Sequence, residues 1–179
     1  NENRLEIKGE KAEQIVAKTT DGVLKIGLPF SKVLSENSVN GKAKAILFYK
    51  DNIIKLTANN KSIVKGKDLK QTTIVCVAKE RSIIELTLNT NEISVSATSG
   101  GIVTLQGTAN NQKVNVDLYG IYEGFELKVK GNSIVNAKSG AKAEIYTENK
   151  LTPSVGFGGS IFYKGNPEVS AEKKISGGI

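Results

Sequence analysis

Short clusters of aliphatic residues recur along the chain at intervals of about ten residues from residue 54 onward. The choice of residue within a cluster changes a single interval by one or two residues, so the mean interval is better defined than any one of them. The clusters are centred on Ile54, Ile63, Ile74, Ile84, Ile93, Val103, Val114, Leu127, Ile134, Ile145 and Val155. This recurrence indicates internal structural repeats.

Within the clusters, apolar and polar residues alternate, as they do in residues 93–97, 114–118 and 125–129. Alternation with a period of two is typical of β-strands that bury one face. The segments between the clusters are rich in Gly and Asn, which accept the positive φ of tight corners. These segments are residues 59–61, 89–91, 99–101, 109–111, 130–132 and 138–140.

Regular short strands with frequent turns are found in sandwiches, barrels and solenoids. The even spacing, the similarity of the repeats and an aromatic content of only 6% favour a solenoid. We therefore predict an all-β protein, a β-solenoid with about twenty residues per coil, since each coil would contain two intervals of about ten. General chirality favours a right-handed parallel β-helix.

The first 42 residues do not follow the repeat. Residues 14–18 and 23–28 alternate around Asp21 and Gly22, and an Asp-Gly pair between alternating runs predicts a β-hairpin. Residues 29–42 have the composition of a loop. We predict one solenoid domain over residues 1–179, with an irregular N-terminal cap at 1–42 and the repeats at 43–179.

The absence of certain residue types excludes several classes of catalytic and metal site. The chain has no His and one Cys, Cys76, which excludes Ser-His and Cys-His catalysis, an intrachain disulfide and a multi-cysteine zinc site within this sequence. Cys76 lies in the apolar run 73–78, so we predict a buried structural thiol. We accordingly expect no catalytic residue, no bound metal and no cofactor.

The formal net charge is +7, and it comes almost entirely from Lys, because Arg4 and Arg81 are the only arginines. The lysines are dispersed rather than clustered, and no aromatic residues are interleaved with them. This pattern fits strand edges protected by Lys better than a nucleic-acid interface. Attraction to an anionic polysaccharide or a membrane surface stays open. No run of about 18 apolar residues predicts a transmembrane segment.

The carboxylates do not form an obvious catalytic group. The four Asp residues are scattered along the chain, and Glu85, Glu126 and Glu144 occupy outward positions of predicted strands. A β-helical lyase or hydrolase needs clustered carboxylates on one face, so we interpret these residues as solvated surface charges. Residues 156–159 resemble a glycine-rich phosphate loop, but a strand follows them instead of a helix, so we predict a corner with positive φ.

One aromatic group is a candidate surface site. Tyr119, Tyr122 and Phe125 flank Gly120 and Gly124, where the interval between clusters lengthens to about 13 residues. We hypothesise a longer loop whose aromatic rings stack on a sugar ring or a protein partner. The alternative is a packed loop or cap.

The C-terminal third carries a recognisable signature in residues 160–169, followed by a Ser-Gly-rich tail at 173–179. This ending resembles the putative auto-transporter adhesin, head GIN domain family, a domain of unknown function in bacterial envelope proteins. Residues 12–28, 118–137 and 141–157 are also similar to that family. The corners 89–91 and 109–111 depart from it, since Asn replaces the Ser-Gly pairs of many members.

The resemblance implies a right-handed β-helical solenoid and an extracytoplasmic location, in the envelope or on the surface of a Gram-negative bacterium. It supplies no catalytic or binding residues. We therefore hypothesise a non-catalytic surface-binding or adhesion module whose partner is a cell-surface glycan or protein. Two alternatives stay open: a structural protein that self-assembles into homo-oligomers through solenoid ends or edges, and a carbohydrate-active β-helix enzyme.

Overall fold

A computed structural model describes residues 3–10, 12–29 and 43–170. The predicted loop at 29–42, apart from Pro29, and the tail at 173–179 lie outside the described residues. The chain divides between Asp51 and Asn52 into two compact units. The predicted single domain stays a prediction, and each unit is considered by itself below.

The N-terminal unit contains two antiparallel strand pairs and a short 3₁₀ helix. The strands are β1 (Arg4–Gly9), β2 (Val16–Thr20), β3 (Val23–Gly27) and β4 (Ala43–Phe48). The hairpin predicted around Asp21 and Gly22 is confirmed, because β2 pairs with β3 and both turn residues have positive φ, 51° and 73°. Two positive φ values in succession are the geometry that an Asp-Gly turn favours.

Strand β4 differs from the predicted start of the repeats at residue 43. It pairs antiparallel with β1, with Ile46 opposite Glu6, and β1 is its only partner among the described strands. The first strand that pairs in parallel is β5, which begins at Lys55. Alternation within 43–48 identifies a strand, but it carries no information about the partner strand, which lies 40 residues earlier at the pair Glu6 and Ile46.

The C-terminal unit is a β-solenoid, as predicted, with about six turns. All of its described strands pair in parallel. They are β5 (Lys55–Ala58), β6 (Ile63–Ala78), β7 (Ile83–Ala97), β8 (Ile102–Val116), β9 (Ile121–Val129), β10 (Asn132–Ala137), β11 (Lys142–Thr147), β12 (Lys150–Val155), β13 (Ser160–Lys164) and β14 (Glu168–Val169).

The pairing register fixes the coil length. Ile63 lies opposite Ile83, then Ile102 and then Ile121, so successive coils advance by 20, 19 and 19 residues. The coil length of about twenty residues predicted from the sequence agrees with the observed value of about 19. The right-handed sense of the coil stays a prediction.

Each coil contributes to two faces. The first halves of β6, β7 and β8 stack with β9, β11 and β13 to form face 1, and their second halves stack with β5, β10, β12 and β14 to form face 2. Inward side chains of successive coils form columns. Cys76, Val95, Val114 and Val135 are one such column on face 2, and all four are at most 1% exposed. Burial of these aliphatic columns between the faces stabilises the stack.

Candidate functional site

In the described part of the solenoid, residues 52–170, six turns connect face 2 to face 1, and they stack on one another. In each turn two successive residues have positive φ, which is the geometry of a tight two-residue turn. The pairs are Asn60-Lys61, Glu80-Arg81, Ser99-Gly100, Leu118-Tyr119, Ser139-Gly140 and Phe157-Gly158. We call this stack the turn ridge.

Backbone hydrogen bonds join each turn of the ridge to the next. The amide of Arg81 donates to the carbonyl of Ser99 (3.1 Å), and the amide of Tyr119 donates to that of Ser139 (3.1 Å). The same bond joins the remaining neighbours, from Lys61 N to Glu80 O, Gly100 N to Leu118 O and Gly140 N to Phe157 O. The turns are therefore held in register by the same parallel pairing as the strands.

The side chains change character along the turn ridge. Its N-terminal turns carry Asn60, Lys61, Glu80 and Arg81, which line a shallow depression with Ser99. Its C-terminal turns carry three apolar side chains, and we call Leu118, Tyr119 and Phe157 the apolar end of the ridge. Their exposed fractions are 50%, 73% and 71%. Leu118 and Phe157 occupy the same turn position two coils apart, which corresponds to about 10 Å.

The apolar end is unfavourable to folding in two ways. Leu118, Tyr119 and Phe157 have φ values of 47°, 59° and 47°, a region that bulky side chains rarely adopt and that Gly, Asn and Asp adopt more easily. Their side chains also remain in water instead of entering the core. Backbone strain that brings no burial is a recognised indication of a functional position.

We expect Phe157→Asn to raise the free energy of unfolding by about 0.5 to 1 kcal/mol, because Asn tolerates the left-handed region and the exposed ring is given up without loss of core packing. Urea unfolding followed by circular dichroism measures the change. Phe162→Asn is the matched control, since Phe162 is an exposed phenylalanine (49%) in strand β13, where Asn is disfavoured. A destabilised Phe157→Asn variant would show that the ring supports the fold.

Asp117 supports the Leu118-Tyr119 turn. Its Oδ1 accepts a hydrogen bond from the amide of Leu118 at 2.9 Å. A hydrogen bond with the side chain of Ser139 lowers the pKa of Asp117, and the Leu118 amide and the charge of Lys138 act in the same direction. The carboxylate is thus ionised, and it accepts hydrogen bonds from the Leu118 amide and the Ser139 side chain.

Tyr119 is where the sequence analysis placed it, on the surface, but it lies in a short turn instead of a longer loop. Its ring lies against the next turn, since a Cβ at Gly140 would approach ring carbon Cε1 to 2.7 Å. Gly140 therefore provides the space that the ring occupies. The interval of about 13 residues arises in strand β9, where β-bulges shift the pairing with β8 and β11.

Tyr122 is not a surface residue, and this part of the predicted patch is wrong. Its side chain is 0% exposed and points into the solenoid, where its hydroxyl donates to Oε1 of Gln112 at 3.0 Å. A Cβ at Gly124 would lie 2.5 Å from the ring, so Gly124 makes room for it in the core. Burial raises the pKa of Tyr122, which keeps the hydroxyl protonated as a donor.

Phe125 lies in the bulge of β9 on the outside of face 1 and is half-buried. The ammonium of Lys164 is 4.3 Å from its ring centroid, and Lys142 lies 5.5 Å from the centroid of Phe162 in a similar way. These are cation–π distances. Because a lysine of this chain already lies over each of these rings, the rings are less available to a ligand than those of the apolar end.

The carboxylates of face 1 form a column that the scattered sequence positions do not reveal. Glu85, Thr104, Glu123 and Glu144 lie opposite one another on successive coils, whereas Glu126 lies opposite Gln106. Lys65 pairs with Glu85 at 2.6 Å, Lys142 pairs with Glu144 at 2.5 Å, and Thr104 donates to Glu123 at 2.8 Å. These contacts fit the interpretation of the glutamates as solvated surface charges.

Cys76 is 0% exposed within the aliphatic column of face 2, so the predicted buried thiol is confirmed. Burial raises its pKa to about 12. We expect the folded protein not to react with a thiol reagent at pH 8, because both access and thiolate are lacking, and to react with one equivalent once it is unfolded in urea. Rapid labelling of the folded protein would contradict this packing.

The described residues contain no group of three or more potential metal-binding side chains from His, Cys, Asp and Glu. No helix in the described part of the chain is long and apolar enough to cross a membrane.

The sequence analysis did not name Leu118 or Phe157 as candidate site residues. It placed Phe157 in the corner at 156–159, and the positive φ predicted there is confirmed at Phe157 and Gly158. It counted Leu118 with the alternating run 114–118, whereas β8 ends at Val116 and Leu118 lies in the turn. Alignment of the repeats in the observed register would have found both residues, because they occupy the turn position that holds Asn60 and Ser99 in other coils.

A family model described as putative auto-transporter adhesin, head GIN domain, matches residues 1–167. A crystal structure described as a putative lipid binding protein from Parabacteroides distasonis ATCC 8503 is similar, with a TM-score of 0.62 and 17% sequence identity over 99% of this chain and 82% of that chain. At this identity the likeness shows the fold alone. No curated protein matches the chain.

Proposed function

The chain belongs to the putative auto-transporter adhesin, head GIN domain family, and from this premise we propose that it is a non-catalytic binding or adhesion module of the bacterial cell envelope. The membership confirms the resemblance noted in the sequence. The family name indicates an adhesin-like envelope module. Exposure at the surface of a Gram-negative cell and the identity of the ligand belong to the proposal.

The observation that carries the proposal is the apolar end of the turn ridge. Leu118, Tyr119 and Phe157 are held at positive φ and exposed, although neither condition benefits the fold. A rigid parallel stack holds them in fixed relative positions, as a binding surface requires. Binding at this surface would compensate the unfavourable exposure.

The non-catalytic part of the proposal is supported by the chemistry of the face 1 column. A glycosidase needs a carboxylic acid and a second carboxylate with different environments. Here Glu85 and Glu144 each pair with a neighbouring lysine, and both lie on an open strand face. We expect no turnover of acidic polysaccharides by the purified protein, measured by the release of reducing ends or of unsaturated products.

The binding test is a panel of immobilised glycans, extracellular matrix proteins and phospholipid vesicles. Vesicles belong in the panel because the similar crystal structure is described as a putative lipid binding protein. We expect the protein to bind one class, and the variant Leu118→Asn/Tyr119→Asn/Phe157→Asn to lose that binding. Failure to bind any class, or equal binding by the variant, would contradict the proposal.

Self-assembly through a coil end is the second candidate, and strand β13 favours it. Within the described residues β13 pairs only with β11, and it exposes Phe162 (49%) and Tyr163 (43%). An exposed strand edge with apolar side chains is a potential template for another chain. Light scattering after size exclusion tests this candidate; a monomer at all accessible concentrations would exclude it.

A further inference from the structure

We infer that the apolar end of the turn ridge docks on an anionic phospholipid surface. This inference rests on the proposed function and names the ligand class of the same site. Leu118, Tyr119 and Phe157 supply the apolar contacts, and the cationic residues of the ridge supply the attraction to negative headgroups.

The size of the site argues against a protein partner. A stable protein interface buries roughly 800 Å² on each side. The apolar end consists of three side chains on two turns about 10 Å apart, and the turns beside it are Ser99-Gly100 and Ser139-Gly140, which add little apolar surface. Binding to a bilayer does not require an interface of that size, because each apolar side chain that inserts contributes its own transfer free energy.

The polarity of the site argues against a glycan. A sugar is oriented by hydrogen bonds to polar groups beside the stacking ring. At the apolar end the backbone groups already bond between turns, from Gly100 N to Leu118 O, Tyr119 N to Ser139 O and Gly140 N to Phe157 O. The Tyr119 ring also lies against Gly140, which limits stacking on that side.

The charge of the ridge favours an anionic surface. Lys138 is exposed next to the Ser139-Gly140 turn, between Tyr119 and Phe157. Lys61, Lys79 and Arg81 are exposed further along the ridge. The acidic residues there are Glu80, which accepts a bond from the amide of Asn60, and Asp117, which accepts one from Leu118. Over the ridge and the residues immediately before or after its turns, exposed cations therefore outnumber acidic residues by four to two, within a chain of net charge +7.

The kinds of side chain also suit the boundary between headgroups and acyl chains. Tyr combines an apolar ring with a polar hydroxyl and is enriched at that depth in membrane proteins. Phe157 and Leu118 lack a polar group and would reach deeper. Because the stacked turns cannot separate without breaking the inter-turn hydrogen bonds, all three side chains would enter together.

The test is co-sedimentation of the intact protein with vesicles of equal parts phosphatidylcholine and phosphatidylglycerol, compared with vesicles of phosphatidylcholine alone. We expect stronger binding to the anionic vesicles and weaker binding as salt is raised. Leu118→Asn/Tyr119→Asn/Phe157→Asn should reduce the binding by about tenfold or more, since three apolar contacts are lost. Lys138→Gln should weaken binding to anionic vesicles only.

The matched control is Ile54→Asn/Ile134→Asn, which removes two exposed apolar side chains (72% and 47%) outside the turn ridge and should leave vesicle binding unchanged. Equal loss in both variants would overturn the inference. Absence of vesicle binding, with glycan or matrix-protein binding intact, would overturn the lipid assignment and keep the proposed function. Absence of binding to every member of the panel would overturn both.

Discussion

Gly107→Ala should strongly destabilise the solenoid, with an expected cost of about 3 to 5 kcal/mol in the free energy of unfolding. Gly107 lies in β8 opposite Leu88 of the preceding coil, with φ at 113°. A Cβ there would approach the Leu88 carbonyl oxygen to 2.0 Å and the Leu88 amide nitrogen to 3.2 Å. The obstacle is backbone, which cannot rotate aside, so the two coils would have to separate.

Gly158→Ala is the matched control for this substitution. Gly158 also has positive φ (76°), but a Cβ there would meet only the amide nitrogen of Gly140, at 4.0 Å. Only conformational strain should remain, at about 1 kcal/mol. Urea unfolding of both variants measures the two losses of stability, and their difference is the cost of the clash between adjacent coils. Similar losses for the two variants would contradict the close approach of β8 to β7.

Gln112→Leu should cost about 3 kcal/mol, although it places an aliphatic residue in a column that contains Ile74 and Ile93. Gln112 is 3% exposed and is the centre of a buried polar network. It accepts from the Tyr122 hydroxyl and donates through Nε2 to Ser133 Oγ (2.9 Å) and the Tyr146 carbonyl (3.3 Å). The leucine would leave these groups buried without their partner.

A double-mutant cycle tests whether the network acts as a unit. Tyr122→Phe alone should cost about 1 to 2 kcal/mol, because Oε1 of Gln112 loses its donor. In the Gln112→Leu background the same change should cost close to nothing, since the hydroxyl has already lost its acceptor. Urea unfolding of the two single variants and the double variant gives the coupling. Additive losses would show that the hydroxyl and Gln112 do not depend on each other.

The fold could be predicted because its main determinant is periodic. Alternation in residues 93–97 predicts a strand, and the observed β7 buries Ile93, Val95 and Ala97 while Ser94 and Ser96 face outward. The interval of about ten residues gives half a coil. Each of these signals is local, so the sequence displays it directly.

The errors concern residues whose partners are distant in sequence. Tyr122 resembles a surface aromatic because its polar acceptor, Gln112, lies on the other face of the solenoid and ten residues earlier. Gln112 in turn interrupts an aliphatic column and has no visible partner in the local pattern. Strand β4 is similar, since its partner β1 lies far upstream in the sequence and local alternation does not indicate which strand it pairs with.

The candidate site was located only in part. Tyr119 was identified from its composition and its glycines, while Leu118 and Phe157 were not, because their exposure depends on which corner positions stack. The pairing of turns makes this visible, from Gly100 N to Leu118 O and from Gly140 N to Phe157 O. Exposure of an apolar residue is a property of the assembled stack, and its hydropathy alone does not reveal it.

The central claim is that the apolar end of the turn ridge is the binding surface, and a fluorescent side chain placed there tests it most directly. The chain has no Trp, so Phe157→Trp introduces a single reporter, and Phe162→Trp places the same reporter on face 1 as a control. On titration with anionic vesicles, the account predicts a blue shift of emission for Phe157→Trp and none for Phe162→Trp. Binding accompanied by a shift only in Phe162→Trp, or in neither variant, would contradict it.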